Sequence, residues 1–378
     1  MSKFDSIRHY DDQEVNEVLQ QISKHPMVKT LMAFTFPDKT EEQWMAELSK
    51  VKSIQQFQED FVYYSILRIL EKSSNGLTTS GFEHLKKDTA YLYISNHRDI
   101  LMDTSLLNVV LKDNGLVMTA SAIGDNLVQK SFLLALAKVN RNFLVRRGLT
   151  PRELLESSKL MSEYINHLLL EENRSVWIAQ REGRTKDGND ATHQGVLKMI
   201  GMAHEEEDIM DYFKKMKIAP VSISYEYDPT DALKMPQLIA RAKDEVYIKE
   251  RNEDFVNLYS GIVGQKRGIH IHVGKVLDEE IDEIKRTESK PNKQLQALAN
   301  AIDKSIISNY YLWPTNYIAY DMMTNTNTFV DKYTEKEKQL FERRLELRVN
   351  KDEKMVVSNF LAMYANPVIN KMKLQDEQ

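Results

Sequence analysis

Tyr91-Leu92-Tyr93-Ile94-Ser95-Asn96-His97-Arg98-Asp99-Ile100-Leu101-Met102-Asp103 is the stretch from which the fold is read. A short apolar run stops at a polar cluster, and a new apolar pattern follows with Ile100, Leu101, Leu106, Leu107, Val109 and Val110. That pattern predicts a buried strand feeding a helix, with Asn96, His97, Arg98 and Asp99 in the turn. Two readings of the turn stand side by side. In one, Asn96 and Asp99 cap the helix and His97 is incidental. In the other, a histidine flanked by acids at a strand end is a general base.

The chain around this stretch is 378 residues long, room for a large α/β domain with helical appendages. Hydrophobic residues at 42% and charged residues at 28% are the balance of a globular protein with a core. A formal net charge of -5 argues against a general affinity for nucleic acid. The absence of cysteine excludes disulfides, a thiolate nucleophile and Cys-ligated metal centres, and it fits a reducing cytoplasm. The first ten residues lack the apolar core of a signal peptide, and no window reaches the roughly 18 apolar residues of a membrane span. Contact with a membrane is therefore expected from one side only.

Outward from the central stretch, residues 12–74 read as helices, with Val15, Val18, Leu19 and Ile22 on one face and Thr40 as a cap. Phe57, Phe61, Tyr64, Leu67 and Leu70 form a further stripe of core residues. Ser73-Ser-Asn-Gly-Leu-Thr-Thr-Ser-Gly81 reads as a turn-rich connection. Short apolar runs at 90–95, 116–120, 142–145, 175–179, 218–224 and 269–273 then alternate with helical stretches at about 100–112, 123–139, 151–171, 191–205, 247–263 and 292–309. This alternation predicts an α/β fold, a mostly parallel sheet flanked by helices. Two more helices are expected near 335–349 and 353–374. The expected division is a helical region over 1–78, the α/β domain over 79–312 and a helical extension over 313–378.

Missing motifs remove several chemistries. No Gly-x-Ser-x-Gly elbow is present, and Gly261-Ile-Val-Gly-Gln-Lys-Arg-Gly268 lacks the Gly-Lys-Ser/Thr of a phosphate loop. His270 and His272 share a strand face, but no further ligand is evident by spacing, so hydrogen-bonded strand residues are expected rather than a metal site. Three polar clusters end later strands. Asn140-Arg-Asn-Phe-Leu-Val-Arg-Arg-Gly148 places Arg146 and Arg147 where they would grip an anion. Val176-Trp-Ile-Ala-Gln-Arg-Glu-Gly-Arg-Thr-Lys-Asp-Gly188 offers Glu182 and Arg184 around Gly183. In Ile218-Ala-Pro-Val-Ser-Ile-Ser-Tyr-Glu-Tyr-Asp-Pro229, Pro220 enters a strand. Each cluster alone reads equally as a solvated turn, but parallel strands bring such ends to one edge.

In order, Asn-His-Arg-Asp-Ile-Leu-Met-Asp, Phe-Leu-Val-Arg-Arg, Arg-Glu-Gly-Arg-Thr and Ala-Pro-Val-Ser-Ile-Ser-Tyr-Glu resemble the four motifs of the glycerolipid acyltransferases, over about residues 80–275. The resemblance implies acyl transfer from a thioester, on acyl carrier protein or coenzyme A, to a hydroxyl of glycerol-3-phosphate or a lysophospholipid. It implies His97 as base, with Asp103 as its partner. Arg146 and Arg147 would hold an anionic head group, Glu182, Gly183 and Arg184 would orient the acceptor or the oxyanion, and Pro220 would shape the pocket wall. No cofactor beyond the co-substrate is implied. The expected place is the cytoplasm, peripheral on the inner face of a membrane, with Lys130–Lys138 or Met355–Tyr364 as contact segment. A lyso-aminolipid acceptor, or a catalytically silent lipid-binding protein, are the alternatives.

Two spacings depart from the family. Its acid stands five residues after the histidine, whereas Asp103 stands six after His97 and Asp99 two. With Asp99 as cap and Asp103 as partner, His97 has to lie outside the helix, because residues six apart do not share a helix face. Glu182-Gly183-Arg184 is one residue shorter than the family's Glu-Gly-x-Arg, which leaves Arg181 and Glu182 as alternatives for the glutamate position.

Overall fold

The computed structural model describes residues 2–205 and 208–376. Its sheet comprises β1 (Ser74–Ser80), β2 (Leu92–Ser95), β3 (Thr119–Gly124), β4 (Asn142–Val145), β5 (Ser175–Ala179), β6 (Ile218–Tyr225) and β7 (Arg267–Val273). The order is β1-β7-β6-β2-β5-β3-β4. Only β6 and β7 run antiparallel. The fold is thus α/β with a mostly parallel sheet, and all six expected strands are present.

Alternation along β2 shows why these runs became strands. Leu92 and Ile94 face one core with Val176, Ile178 and Phe143, while Tyr93 faces the other with Val221 and Ile269. Helices cover both faces, so the strands are apolar throughout. Strand β2 lies between β5 and β6. From β2 the chain passes through the helix Met102–Asp113 to β3, beyond β5, whereas β6 adds on the other side. This arrangement opens a crevice at the carboxyl end of β2.

Several expectations are corrected. Ser74–Ser80, read as a turn, is the edge strand β1, paired in parallel with β7. Its Ser, Asn, Gly and Thr content resembles a loop because an edge strand buries little, and only the ladder gives it shape. The boundary drawn between residues 78 and 79 falls inside β1. The helices Ile209–Lys215, Asp231–Ala242, Asp278–Thr287 and Pro314–Thr324 were not expected. Pro236 masked the second, and Pro314, which reads as a stop, is instead the first residue of the fourth. The helix expected over 123–139 begins only at Ser131, because β3 continues to Gly124.

Neither membrane-contact segment is a free apolar face. In Ser131–Val139, Leu133 and Leu134 pack on the sheet core, and Ala135 and Leu136 pack on the N-terminal helices. Val356, Phe360, Leu361, Met363 and Tyr364 are buried in a C-terminal core with Phe341. Among the described residues, no helix is long and apolar enough to cross a membrane. His270 and His272 are held by hydroxyls of β1: Thr78 Oγ1 lies 2.8 Å from His270 Nδ1, and Ser80 Oγ lies 2.7 Å from His272 Nδ1.

Candidate active site

The polar turn after β2 is fixed one residue at a time. The Asn96 amide accepts from Ile223 N–H at 2.8 Å and donates to Ile223 O at 3.0 Å, which extends the β2–β6 ladder past the last strand residue. Asp99 Oδ1 accepts the N–H groups of Leu101 and Met102 at 3.0 and 2.8 Å, capping the next helix. Asp103, in the first turn of that helix, points back into the turn. Its Oδ2 accepts His97 Nδ1 at 2.8 Å, Arg98 N–H at 2.7 Å and Asp99 N–H at 3.0 Å, and its Oδ1 accepts the Tyr225 hydroxyl at 2.8 Å.

The six-residue spacing is therefore absorbed by a backbone loop that wraps around one carboxylate oxygen. His97 sits in that loop, outside the helix. The carboxylate places the ring proton on Nδ1, which leaves Nε2 as the acceptor. Trp177 presents an edge to the imidazole at 5.3 Å, and Thr185 N–H donates to His97 O at 2.9 Å. Nε2 has no protein partner among the described residues.

Asp99 carries a different electrostatic load. It is fully buried, and its Oδ2 has no hydrogen-bond partner among the described residues. Burial first, and the Asp103 carboxylate second, push its carboxyl above the usual range. A carboxyl raised in the folded state favours folding below its unfolded pKa, and that contribution is lost as pH rises through the folded value. Asp99→Asn keeps a capping oxygen and removes the ionisable group. Its melting temperature relative to the native protein is therefore expected to be higher at pH 8 than at pH 5, as read by thermal melts.

Around the turn lies a buried ionic network that the sequence did not disclose. Arg98 Nη2 meets Asp190 Oδ2 at 2.5 Å, and the Tyr310 hydroxyl donates to the same oxygen. Lys234, 1% exposed, donates to Arg98 O at 3.1 Å and pairs with Asp228. Burial works to raise the Asp228 carboxyl, but Lys234 together with the hydrogen bonds from Thr230 holds the group below its ordinary range. Arg344 donates to Asp231 Oδ2 at 2.7 Å and to Asp228 O at 2.8 Å, and the Tyr364 hydroxyl donates to Asp231 at 2.9 Å. A lysine on an amphipathic helix reads as solvated, so Lys234 gives no signal of this role. Asp228 stands at the edge of the fourth motif, whereas Tyr225 and Trp177 read simply as strand residues.

The other expected site residues divide. Arg146 turns to Ser6 O at 2.9 Å and, more distantly, to Asp125 at 3.8 Å. Arg147, like Arg146 in the loop just past β4, pairs with Glu182 instead. Glu182 is 72% exposed and stands on a solvent edge, with Gly183 beside it at φ 69°. This geometry does not place Glu182 against a bound acceptor. Arg184 turns inward and donates to Thr230 Oγ1 at 3.2 Å. Pro220 is paired with Ile94 inside the sheet, three residues short of His97, so it is a core residue and not a pocket wall. The sheet accommodates it because the β7 register begins only at Val221.

The family model described as Acyltransferase matches residues 76–224. The match falls on the stretch that resembles the glycerolipid acyltransferases. The solved structure of the 1-acyl-sn-glycerophosphate (LPA) acyltransferase PlsC from Thermotoga maritima is similar to the chain at a TM-score of 0.37 and 13% identity, covering 79% of this chain and 99% of that one. A comparison with curated proteins finds no match. The matched segment opens in β1 and closes in β6. Consequently Asp228, Lys234, Tyr310 and Met363, which gather at Arg98 of the His97 turn, lie beyond the matched segment.

Proposed function

We propose that the protein transfers a fatty acyl group from an acyl thioester to a hydroxyl of glycerol-3-phosphate or 1-acylglycerol-3-phosphate, with His97 as general base and Asp103 as its partner. The contact that carries this reading is His97 Nδ1 to Asp103 Oδ2 at 2.8 Å, with the carboxylate fully buried. Nε2 takes the proton of the acceptor hydroxyl, and the oxygen attacks the thioester carbonyl. The tetrahedral oxyanion collapses with loss of the thiolate, which takes the proton from the imidazolium. Asp103 stabilises that imidazolium, as the acid of a Ser-His-Asp triad does, while the substrate supplies the hydroxyl.

The head-group cations are proposed to be Arg184 and Lys186, in place of the Arg146 and Arg147 pair. Burial lowers the Lys186 ammonium to about 7, and Arg184, Lys234 and Lys249 push it the same way while Asp228 opposes them. An anion nearby offsets that crowding of positive charge. Because Lys186 sheds its proton as pH rises through about 7, the acceptor KM is expected to rise between pH 6 and pH 9. Lys186→Met should flatten this profile. A phosphate acceptor gains charge over the same range and pulls the other way, so the difference between the two proteins isolates the lysine.

Coenzyme A and acyl carrier protein are both open as donor carriers. The deciding experiment offers purified protein labelled acyl thioester on each carrier, with glycerol-3-phosphate, 1-acylglycerol-3-phosphate and a lyso-aminolipid as acceptors. Labelled product from a phosphate acceptor is expected. Product from the aminolipid alone would replace the proposed acceptor, and no product from any of them would leave a silent lipid-binding protein.

A further inference from the structure

A small, partly open cavity lies beside the His97 turn. Its floor is Arg98, Ser224 and Tyr225, the last of which holds Asp103. Its roof comes from outside the matched segment, chiefly Tyr310, Asn316 and Met363. We propose that this cavity is the subsite for the acceptor's phosphate-bearing end, and that the C-terminal helix Lys354–Asp376 sets its size. The proposal rests on the acyl-transfer reading above and adds where the acceptor sits.

Three observations carry it. The first is hydrogen-bonding capacity. Arg98 spends Nη2 on Asp190, and Nε and Nη1 have no protein acceptor among the described residues. The Ser224 oxygen accepts from Tyr311 N–H at 3.1 Å, which leaves its own O–H to donate. The second is charge. The lining carries one cation, Arg98, and one carboxylate, Asp228, which Lys234 already pairs, with Arg184 and Lys186 further back, so the guanidinium edge is the charge an anionic guest would meet.

The third is that the roof is built into place. Asn366 Nδ2 donates to Asp187 O at 2.6 Å, and Asn316 Nδ2 donates to Tyr364 O at 2.8 Å. At Gly188 a Cβ would stand 2.2 Å from Met363 O, so the loop after β5 is pressed directly against the helix. The helix therefore cannot shift without moving the loops that follow β5 and β6.

Equilibrium binding of glycerol-3-phosphate, followed by calorimetry on the full chain, tests this without depending on turnover. Two variants alter the cavity: Met363→Trp fills the roof, and Arg98→Lys removes the free guanidinium edge while keeping a cation for Asp190. Arg146→Ala, a cation turned away from the cavity, is the control. Binding by the native protein that weakens at least tenfold in both cavity variants, and is unchanged in the control, is the expected result. If Met363→Trp fails to fold by thermal melting, Arg98→Lys against the control decides alone. Absence of binding to the native protein, or equal binding in the folded variants, overturns the subsite. The acyl-transfer reading fails separately, by absence of labelled product from the native protein.

Discussion

His97→Ala is expected to abolish acyl transfer, lowering kcat on the order of 10³-fold or more, while the protein stays folded. The side chain is 13% exposed and packs on one edge of Trp177, so its loss costs only about 1–2 kcal/mol of stability. Its carbonyl bond to Thr185 is backbone and survives the substitution. Activity and stability therefore separate in this variant. Single-turnover transfer of a labelled acyl chain, beside a thermal melt, measures both. Transfer at the native rate in a folded variant would eliminate His97 as the base and, with it, the proposed mechanism. No other histidine stands at this turn to take its place.

Asp103→Asn is the second large effect. The native carboxylate collects four donors: the imidazole, two backbone N–H groups and the Tyr225 hydroxyl. An amide placed with its oxygen toward the turn keeps the first three, and its NH2 donates to Tyr225, whose hydroxyl accepts instead. The fold should survive with a loss of about 1–3 kcal/mol, the range for exchanging charged for neutral hydrogen bonds. Catalysis should fall on the order of 10³-fold, because the charge that stabilises the imidazolium is gone. Asp103→Ala, by contrast, leaves two buried N–H groups and a hydroxyl without an acceptor, and should unfold the turn. If Asp103→Asn were as active as the native protein, Asp103 would be only a structural staple of the loop.

Much of this was legible in the chain because strands and strand ends are local. Buried runs such as Leu92–Ser95 and Ile218–Tyr225 announce themselves through apolar content, and parallel strands must deliver their carboxyl ends to one edge. That sufficed to bring Asn96, His97 and Asp103 forward together, and even to put His97 outside the helix, since residues six apart cannot meet on one. The roles of the two acids were open to the same reasoning, because a carboxylate two residues after the histidine is well placed to cap.

Tertiary structure alone decided the rest. Ser74–Ser80 has no pattern of its own and is a strand only because β7 offers it a ladder. Arg146 and Arg147 form a convincing pair in sequence, yet in the loop past β4 one is held by Ser6 and the other by Glu182, partners far along the chain. Tyr310, Met363 and Tyr364 carry no local sign of a site, because their partners lie more than fifty residues away, and Lys234, though paired with Asp228 six residues before it, reads as a solvated helix lysine until the burial is seen. The sequence by itself determined six of the seven strands and the loop that brings His97 to Asp103, because an apolar run and a six-residue spacing are local. What surrounds that turn depends on long-range packing, and no local pattern encodes it.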